Sequence, residues 1–352
     1  MRKQSLDFLK KLLTTPSPSG FEEKIQTVCK KYAQPYVDKI YKDVHGNQFH
    51  VRNEKAKLRI MLAGHVDEIA LQVNYIDSRG FLSFVAIGGI DASVLDGQRV
   101  MVQGTKGPVS GMIGRRAIHL TDPEERGKPM KMHQMWIDIG AKDEKEAKRS
   151  VSVGDTAVID VGPMELANGR FVARALDNRI GAFVVLETMR LLSKRKIDCA
   201  VYCVTTVQEE IGLRGATTSA YGCDPHAGIA VDVGHATDFP SCDPKRFGDF
   251  ELNKGPILHR GANINPVVGK ALINLAKKKR IPHQIEATPR GTGTDANAIQ
   301  LARGGVAAAL ISVPERYMHS PVEMIALSDA ENTAKLIAEW ICTLKPNSTF
   351  IP

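Results

Sequence analysis

Two adjacent acids, Glu209 and Glu210, follow directly on the apolar run Cys199–Val207. Side by side at a strand end, they repel each other unless a cation is near. The arrangement recurs along the chain. His65 and Asp67 follow Leu58–Ala63, Asp177 follows Phe171–Leu176, Asp232 ends Gly228–Val231, and His319 lies just past Ala307–Val313. Each apolar segment delivers an imidazole or a carboxylate at the same end, where an isolated carboxylate would be desolvated at considerable cost. Such groups converging on one edge imply a cation site. His, Asp and Glu offer nitrogen and oxygen ligands, which suit zinc first, and cobalt or manganese equally well by type. The ligand number fits two divalent ions, with one carboxylate bridging a gap of about 3.5–4 Å. Such a pair can hold one hydroxide, polarise a carbonyl and receive a substrate amine.

Singly, most of these residues have a structural alternative. His65-Val66-Asp67 is also the pattern of a satisfied surface pair; its functional reading is a ligand histidine oriented by the carboxylate behind it. Asp177 could cap the helix that follows it. Asp232 could be a buried hydrogen-bonding group, and His319 alone reads as a loop histidine. For Glu209 and Glu210 the extended chain supplies a division of labour. Neighbours point to opposite sides, so one can ligate while the other, as general base, faces the attacking water.

The elements that must position these groups read as α/β with an insertion. Helical spacing predicts helices over Ser5–Leu13 and Phe21–Gln34, then strands near Lys39–Tyr41 and over Leu58–Ala63. From about 73 to 164 Gly and Val become frequent and apolar runs short. Strands are expected at Phe81–Ile87, Arg99–Gln103, Pro108–Ile113 and Thr156–Val161, with a short charged helix at Asp143–Ser150. After Gly162-Pro163, strands at Phe171–Leu176, Cys199–Val207, Gly228–Val233, His283–Ala287 and Ala307–Val313 alternate with helices at Arg179–Leu192, Ile264–Lys279, Asp295–Arg303 and Ser328–Leu344. The expectation is a catalytic α/β domain in two parts, 1–72 and 165–352, whose central mixed sheet is flanked by helices. Residues 73–164 form an inserted β-rich domain.

Composition narrows the class. Of 352 residues, 43% are hydrophobic and 24% charged, as expected for a chain that buries a large core. The net charge of +8 is scattered, and its densest run, Lys277–Arg280, closes a helix whose dipole it complements. With 6% aromatic residues and no basic–aromatic alternation, no nucleic-acid partner is expected. No run approaches the roughly 18 apolar residues of a membrane span, and the N-terminal stretch lacks a signal-type apolar core. Six cysteines without a CxxC read as reduced thiols. A cytoplasmic enzyme without membrane attachment is expected.

Taken in order, the motifs resemble the tetrahedral aminopeptidase family of dinuclear metallopeptidases, which includes glutamyl, leucyl, lysyl and deblocking enzymes. The resemblance covers nearly the whole chain. It runs from Leu13–Glu22 through Gly64-His65-Val66-Asp67-Glu68-Ile69, Gly88–Asp91, Gly97–Val100, Ala175–Arg179, Val207–Ala216, Ala230–Asp232 and Gly293–Ala296 to Arg316–Glu323. It departs at Ile90, where an aromatic is usual, and at Ala70, where glycine is. The resemblance implies two divalent ions per subunit. His65 and Asp232 would hold one, Glu210 and His319 the other, and Asp177 would bridge them. Glu209 would be the general base and Asp67 would orient His65. It also implies a zinc-peptidase type sheet with a PDZ-like barrel inserted, dimers joined through that barrel, a tetrahedral dodecamer built from them, and short peptides as substrates. A glycosidase reading of the paired acids would require carboxyls flanking the bond at about 5–9.5 Å and leave the histidines unexplained. A carboxypeptidase or deacylase is disfavoured by the Gly97-Gln98-Arg99-Val100 motif. A non-catalytic assembly protein is disfavoured by the complete ligand set with Glu209.

Overall fold

Continuous apolar runs become the buried middle of one large sheet. The structure, a computed structural model, describes residues 1–125, 127–128 and 130–352, the side chain of Glu125 apart. Strands β1 (Lys39–Lys42), β2 (Gln48–Arg52) and β3 (Arg59–His65) come first. Then follow β4 (Ala70–Ile76), β5 (Leu82–Ile87), β6 (Arg99–Gly104), β7 (Gly107–Arg115), β8 (Met135–Asp138) and β9 (Thr156–Ile159). After these come β10 (Met164–Leu166), β11 (Arg170–Ala173), β12 (Ala200–Thr206), β13 (Ala227–His235), β14 (Ile257–Gly261), β15 (Gln284–Thr288), β16 (Ala307–Arg316) and β17 (Glu323–Ala326).

The large sheet has eleven strands in the order β1-β2-β12-β3-β13-β16-β17-β11-β10, with β14 bonded to β16 and β15 beyond it. Its middle, β12-β3-β13-β16, is parallel, and antiparallel pairs flank it. Every residue of β12 is buried, as expected of a parallel strand covered on both faces. The remaining six strands, β4-β5-β8-β7-β6-β9, close an antiparallel barrel. Closure removes the free edges that such short strands would expose. Leu71, Val73, Leu82, Phe84, Val100, Ile113 and Ile137 fill it, forming a core separate from that of the sheet. The barrel begins at Ala70 and its last strand ends at Ile159; Met164 already pairs with Val172 in the large sheet.

Helices α1 (Lys3–Thr14), α2 (Glu23–Ala33), α3 (Glu144–Ala147), α4 (Leu176–Leu192), α5 (Arg214–Cys223), α6 (Pro244–Phe247), α7 (Pro266–Lys279), α8 (Asp295–Gln300) and α9 (Leu327–Ile341) complete the chain. All but α3, which lies between barrel strands in sequence, belong to the part built on the sheet. Helix α4 is apolar nearly all round, and it is buried accordingly, against β3, β13, α1 and α9. The strand expected over Phe171–Leu176 stops at Ala173. Ala175 turns left-handed (φ 56°) and the chain enters α4 at Leu176.

Candidate metal centre

Close backbone approach sets the site. A Cβ on Gly64, in β3, would lie 2.6 Å from the Ala182 nitrogen of α4, and one on Gly181 would lie 2.4 Å from the Val231 carbonyl oxygen of β13. Only glycine permits contacts this short. The three elements are thereby drawn together: His65 ends β3, Asp177 lies at the start of α4, and Asp232 sits within β13. The His65 Nε2 atom lies 3.3 Å from Asp177 Oδ1 and 4.0 Å from Asp232 Oδ1.

Asp177 is not the cap of α4. Asp177 and Asn178 depart from helical angles and are joined by a cis peptide bond. The Oδ1 atom of Asn178 accepts from Gly181 N at 2.9 Å, and its Nδ2 donates to the Val231 carbonyl at 2.8 Å. The Asp177 carboxylate is left free to face inward. Its Oδ1 meets His65 and its Oδ2 lies 3.3 Å from His319 Nε2.

Glu209 and Glu210 do part company, by a turn rather than a pleat. Gln208 is left-handed (φ 55°). The amides of Glu209 and Glu210 then both donate to the carboxylate of Asp67, at 3.0 and 3.2 Å. Glu209 Oε2 comes within 3.7 Å of His65 Nε2, and Glu210 Oε2 within 3.6 Å of His319 Nε2. Asp67 also accepts from Ser19 Oγ at 2.7 Å, and its Oδ1 lies 3.4 Å from His65 Nδ1.

His319 is held by three parts of the molecule. Its own φ is 59° and that of Tyr317 is 64°, unusual values for non-glycine residues of the kind that gather at functional sites. Its amide donates to Glu323 Oε1 at 3.0 Å, while the amide of Asp177 donates to Glu323 Oε2 at 3.1 Å. Its ring Nδ1 donates to the carbonyl of Gly89 at 2.8 Å, a group supplied by the loop after β5 of the barrel. Nε2 is thus the atom presented to Asp177 and Glu210.

The electrostatics are those of a site short of positive charge. Burial pushes Glu209 up to about 10, with Asp232, Asp295 and Glu210 adding repulsion. Burial and then Asp177 push Glu210 up to about 8. Asp232 is driven well above the usual carboxylate range by burial, Asp177 and Asp295. Asp177 is lowered: burial opposes ionisation, but hydrogen bonds to His319 and His65 prevail. Asp67 is lowered as well, against its burial, through His65. His319 is raised to about 9 by its bond to Asp177. His65 is raised despite burial, through Glu209, Asp177 and Asp67.

The donor set fits divalent metal. Atoms of His65, Glu209 and Asp232, and likewise of His65, Asp177 and Glu210, lie within 4.8 Å of one another. His319 stands outside both tight groups yet contacts members of the second. Glu210 Oε1 is buried with no hydrogen-bond partner. A buried acceptor without a donor is expensive, and a cation answers it.

Several residues of the centre have no role assigned from the sequence, although Glu22, Glu68, Asp295 and Glu323 fall within the family-like motifs and, of these acids, only Glu315 lies outside them. Glu323 holds two amides, as described. Glu315 is buried with both oxygens unpartnered, and burial and Glu323 raise it well above the usual range. Asp295 accepts from Thr206 Oγ1 at 2.6 Å and is pushed up to about 6 by burial. Glu68 pairs with the buried Arg174 and Arg179. Glu22, beside Asp67, rises to about 7 through burial. The centre opens into a cleft of about 1410 Å³, walled in part by Phe239, Phe250 and Tyr317.

A mixed sheet with an inserted closed barrel and a carboxylate–imidazole cluster beyond the parallel strands places the chain among known peptidases. It is similar to a crystal structure of a TET aminopeptidase from a marine sediment Thaumarchaeota archaeon, with 37% identity, TM-score 0.93 and 97% of each chain covered. It is similar to the TET1 peptidase of Pyrococcus horikoshii, with 32% identity, TM-score 0.87 and 97% and 100% of the two chains covered. The lysyl aminopeptidase of Pyrococcus furiosus is 36% identical over 97% of both chains. Residues 46–336 match the family described as M42 glutamyl aminopeptidase, and the chain belongs to it. It is an aminopeptidase, a hydrolase of peptide bonds, from a metal-dependent family. Among the described residues no helix is long and apolar enough to cross a membrane.

Proposed function

We propose that this chain removes N-terminal residues from short peptides at a centre of two divalent ions, zinc in the first place and cobalt or manganese as alternatives. One observation carries the reading: Asp177 presents one carboxylate oxygen to each of the two histidines. His65 and Asp232 would hold one ion, Glu210 and His319 the other, and Asp177 both. When bound, two such ions lower the pKa of the attacking water, polarise the scissile carbonyl and receive the α-amine.

The chain's own groups do the rest. Glu209, facing the cleft from a desolvated position, takes the water's proton and later delivers it to the leaving amine. Asp67 fixes the arrangement from behind. It orients His65 and, through two backbone amides, sets where Glu209 and Glu210 stand. Glu323 does the same for Asp177 and His319.

Assembly is read through the barrel, on whose strands Tyr75, Val85 and Met112 are exposed. The Pyrococcus horikoshii TET1 peptidase can assemble into a tetrahedron or a large octahedral shell. We read the chain as a homo-oligomer, dimers joined through the barrel and built into a dodecamer. Its six cysteines, all unpaired, suit the reducing cytoplasm.

The test uses the metal-loaded protein with aminoacyl anilides, their N-acetylated counterparts and a soluble cellulose derivative. Cleavage confined to free-amino anilides is expected. Hydrolysis of the blocked anilides alone, or of cellulose, would refute the reading. Membership does not select the first residue, since the family is described as glutamyl and one relative is named lysyl.

A further inference from the structure

A row of polar side chains leads away from the metal centre along the cleft floor. Asp232 in β13 is paired with Ser312 in β16. Ser312 Oγ lies 2.9 Å from His259 Nε2 in β14. His259 is paired with Glu286 in β15, and all four line the cleft. Ser312 pairs with Ile257, and His259, two residues on, lies on the same face, so the row runs, offset at that step, from metal ligand to edge strand.

The far end of the row is a carboxylate without a counter-ion. Glu286 has 35% of its side chain exposed. Among the described residues its one charged-type neighbour within 4.0 Å is His259, at 3.8 Å. That ring is engaged at both nitrogens, by Thr288 Oγ1 at 3.0 Å and by Ser312 Oγ, and burial lowers it to about 4, so it is neutral. Glu286 therefore faces the cleft with its negative charge unanswered, on a strand rather than a loop. Arg246, the cation that also lines the cleft, is exposed on the four-residue helix α6 and stacks 4.7 Å from the ring of Phe247.

Resting on the aminopeptidase reading, we propose that Glu286 selects the first residue of the peptide and favours a cationic one, lysyl or arginyl. Three strand spacings of about 4.8 Å, roughly 14 Å across the sheet, separate Asp232 from Glu286, and a two-residue offset along the strands between Ser312 and His259 adds to that span. With the α-amine at the metal end and the side chain lying over Ser312 and His259, a long side chain brings its charge to a carboxylate that reaches back to meet it. Short or acidic side chains do not bridge that gap, and an acidic one is repelled on arrival.

The experiment compares kcat/KM for lysyl, leucyl and glutamyl 4-nitroanilides on the metal-loaded full chain and its Glu286→Gln and Glu286→Lys variants. The wild type is expected to prefer lysyl over glutamyl. In Glu286→Gln the lysyl-to-leucyl ratio falls about tenfold, mostly through KM, as suits loss of one half-exposed charge pair. In Glu286→Lys glutamyl overtakes lysyl. A lysyl-to-leucyl ratio unchanged within about twofold in Glu286→Gln overturns the proposal. So does a wild type that prefers glutamyl, which hands selection to Arg246. Failure of the wild type on all three anilides is a different result: it removes the aminopeptidase reading, and this inference with it.

Discussion

Metal loading must expel protons, and the number is large enough to count. Glu210 is held at about 8 and His319 at about 9. At pH 7 the first is about nine-tenths protonated and the second almost fully so. His65 and Asp232 are raised as well. Ligands must be deprotonated to bind metal. The six interacting groups titrate as a cluster, so the protons belong to the set rather than to one residue. On these values, filling the site at pH 7 releases at least about two protons per chain. An unperturbed site would release about half a proton, nearly all of it from two histidines of pKa about 6.5. Titration calorimetry of metal-free protein with zinc, in two buffers of different ionisation enthalpy, gives the count directly. A release below about one proton would refute the account of the cluster.

The same shifts fix the sign of a stability trend. Groups whose folded pKa is raised stabilise most below their unfolded value and lose that contribution as pH climbs through the folded one. For Glu210 and Glu209 the loss starts above the unfolded value of 4.5 and runs through about 8 and about 10. Metal-free protein should therefore melt at progressively lower temperature between pH 7 and 10, and metal should flatten the trend. A metal-free melting point that rises with pH in that window contradicts it.

Three substitutions probe separate layers of the argument. Glu209→Gln should lower kcat by about 10²–10⁴ while metal content by mass spectrometry stays at the wild-type level; loss of metal would exchange the roles given to Glu209 and Glu210. Glu68→Ala leaves Arg179 buried without its carboxylate, and denaturant unfolding should show a loss of about 3–5 kcal/mol. Gly64→Ala forces β3 off α4; a loss of about 1–3 kcal/mol should be accompanied by weakened metal binding, because His65 moves with the strand, and unchanged metal affinity would count against that coupling.

The ends of the parallel strands were legible because burial leaves no other explanation for a polar exit. Runs such as Ala200–Thr206 are buried on both faces, so His65 and Glu209 stand out where the chain leaves the sheet, and Asp232 where a carboxylate follows an apolar run within β13. His319 came from its place just past Ala307–Val313, and the resemblance supplied the metal it would hold. Helix α5 escaped notice because Gly215, Thr217, Thr218 and Gly222 are weak helix formers; Ala216 and Ala220, buried in its core-facing side, hold it in place. Strands β14 and β17 are short and lie between segments of mixed polarity, so neither alternation nor length betrayed them. The supporting acids stayed hidden for a related reason. Glu315 is marked by nothing local, and Glu323, though it closes the Arg316–Glu323 motif, reveals its role only through its contacts with Asp177 and His319. Glu209 and Glu210 stand apart, one beside His65 and the other beside His319, but a left-handed Gln208 and the carboxylate of Asp67 set them there, not the pleat of a strand.

The barrel is part of the metal centre and not merely an appendage to the sheet. The carbonyl of Gly89 receives the Nδ1 proton of His319, and this bond decides which ring nitrogen faces Glu210 and Asp177. A Cβ on the neighbouring Gly88 would lie 3.4 Å from Glu210 Cβ, so the same loop also packs beside the other half of that ligand pair. In each case a rigid backbone group from one domain orients a side chain of the other, and orientation of the ligand is what such a partner contributes to affinity. Any movement of the barrel relative to the sheet is therefore felt at His319 and Glu210 before it is felt at His65 and Asp232, which stand on β3 and β13, with Asp67 behind His65. If the barrel also carries the contact between subunits, assembly and the geometry of one of the two metal positions are mechanically connected through the loop at Gly88-Gly89.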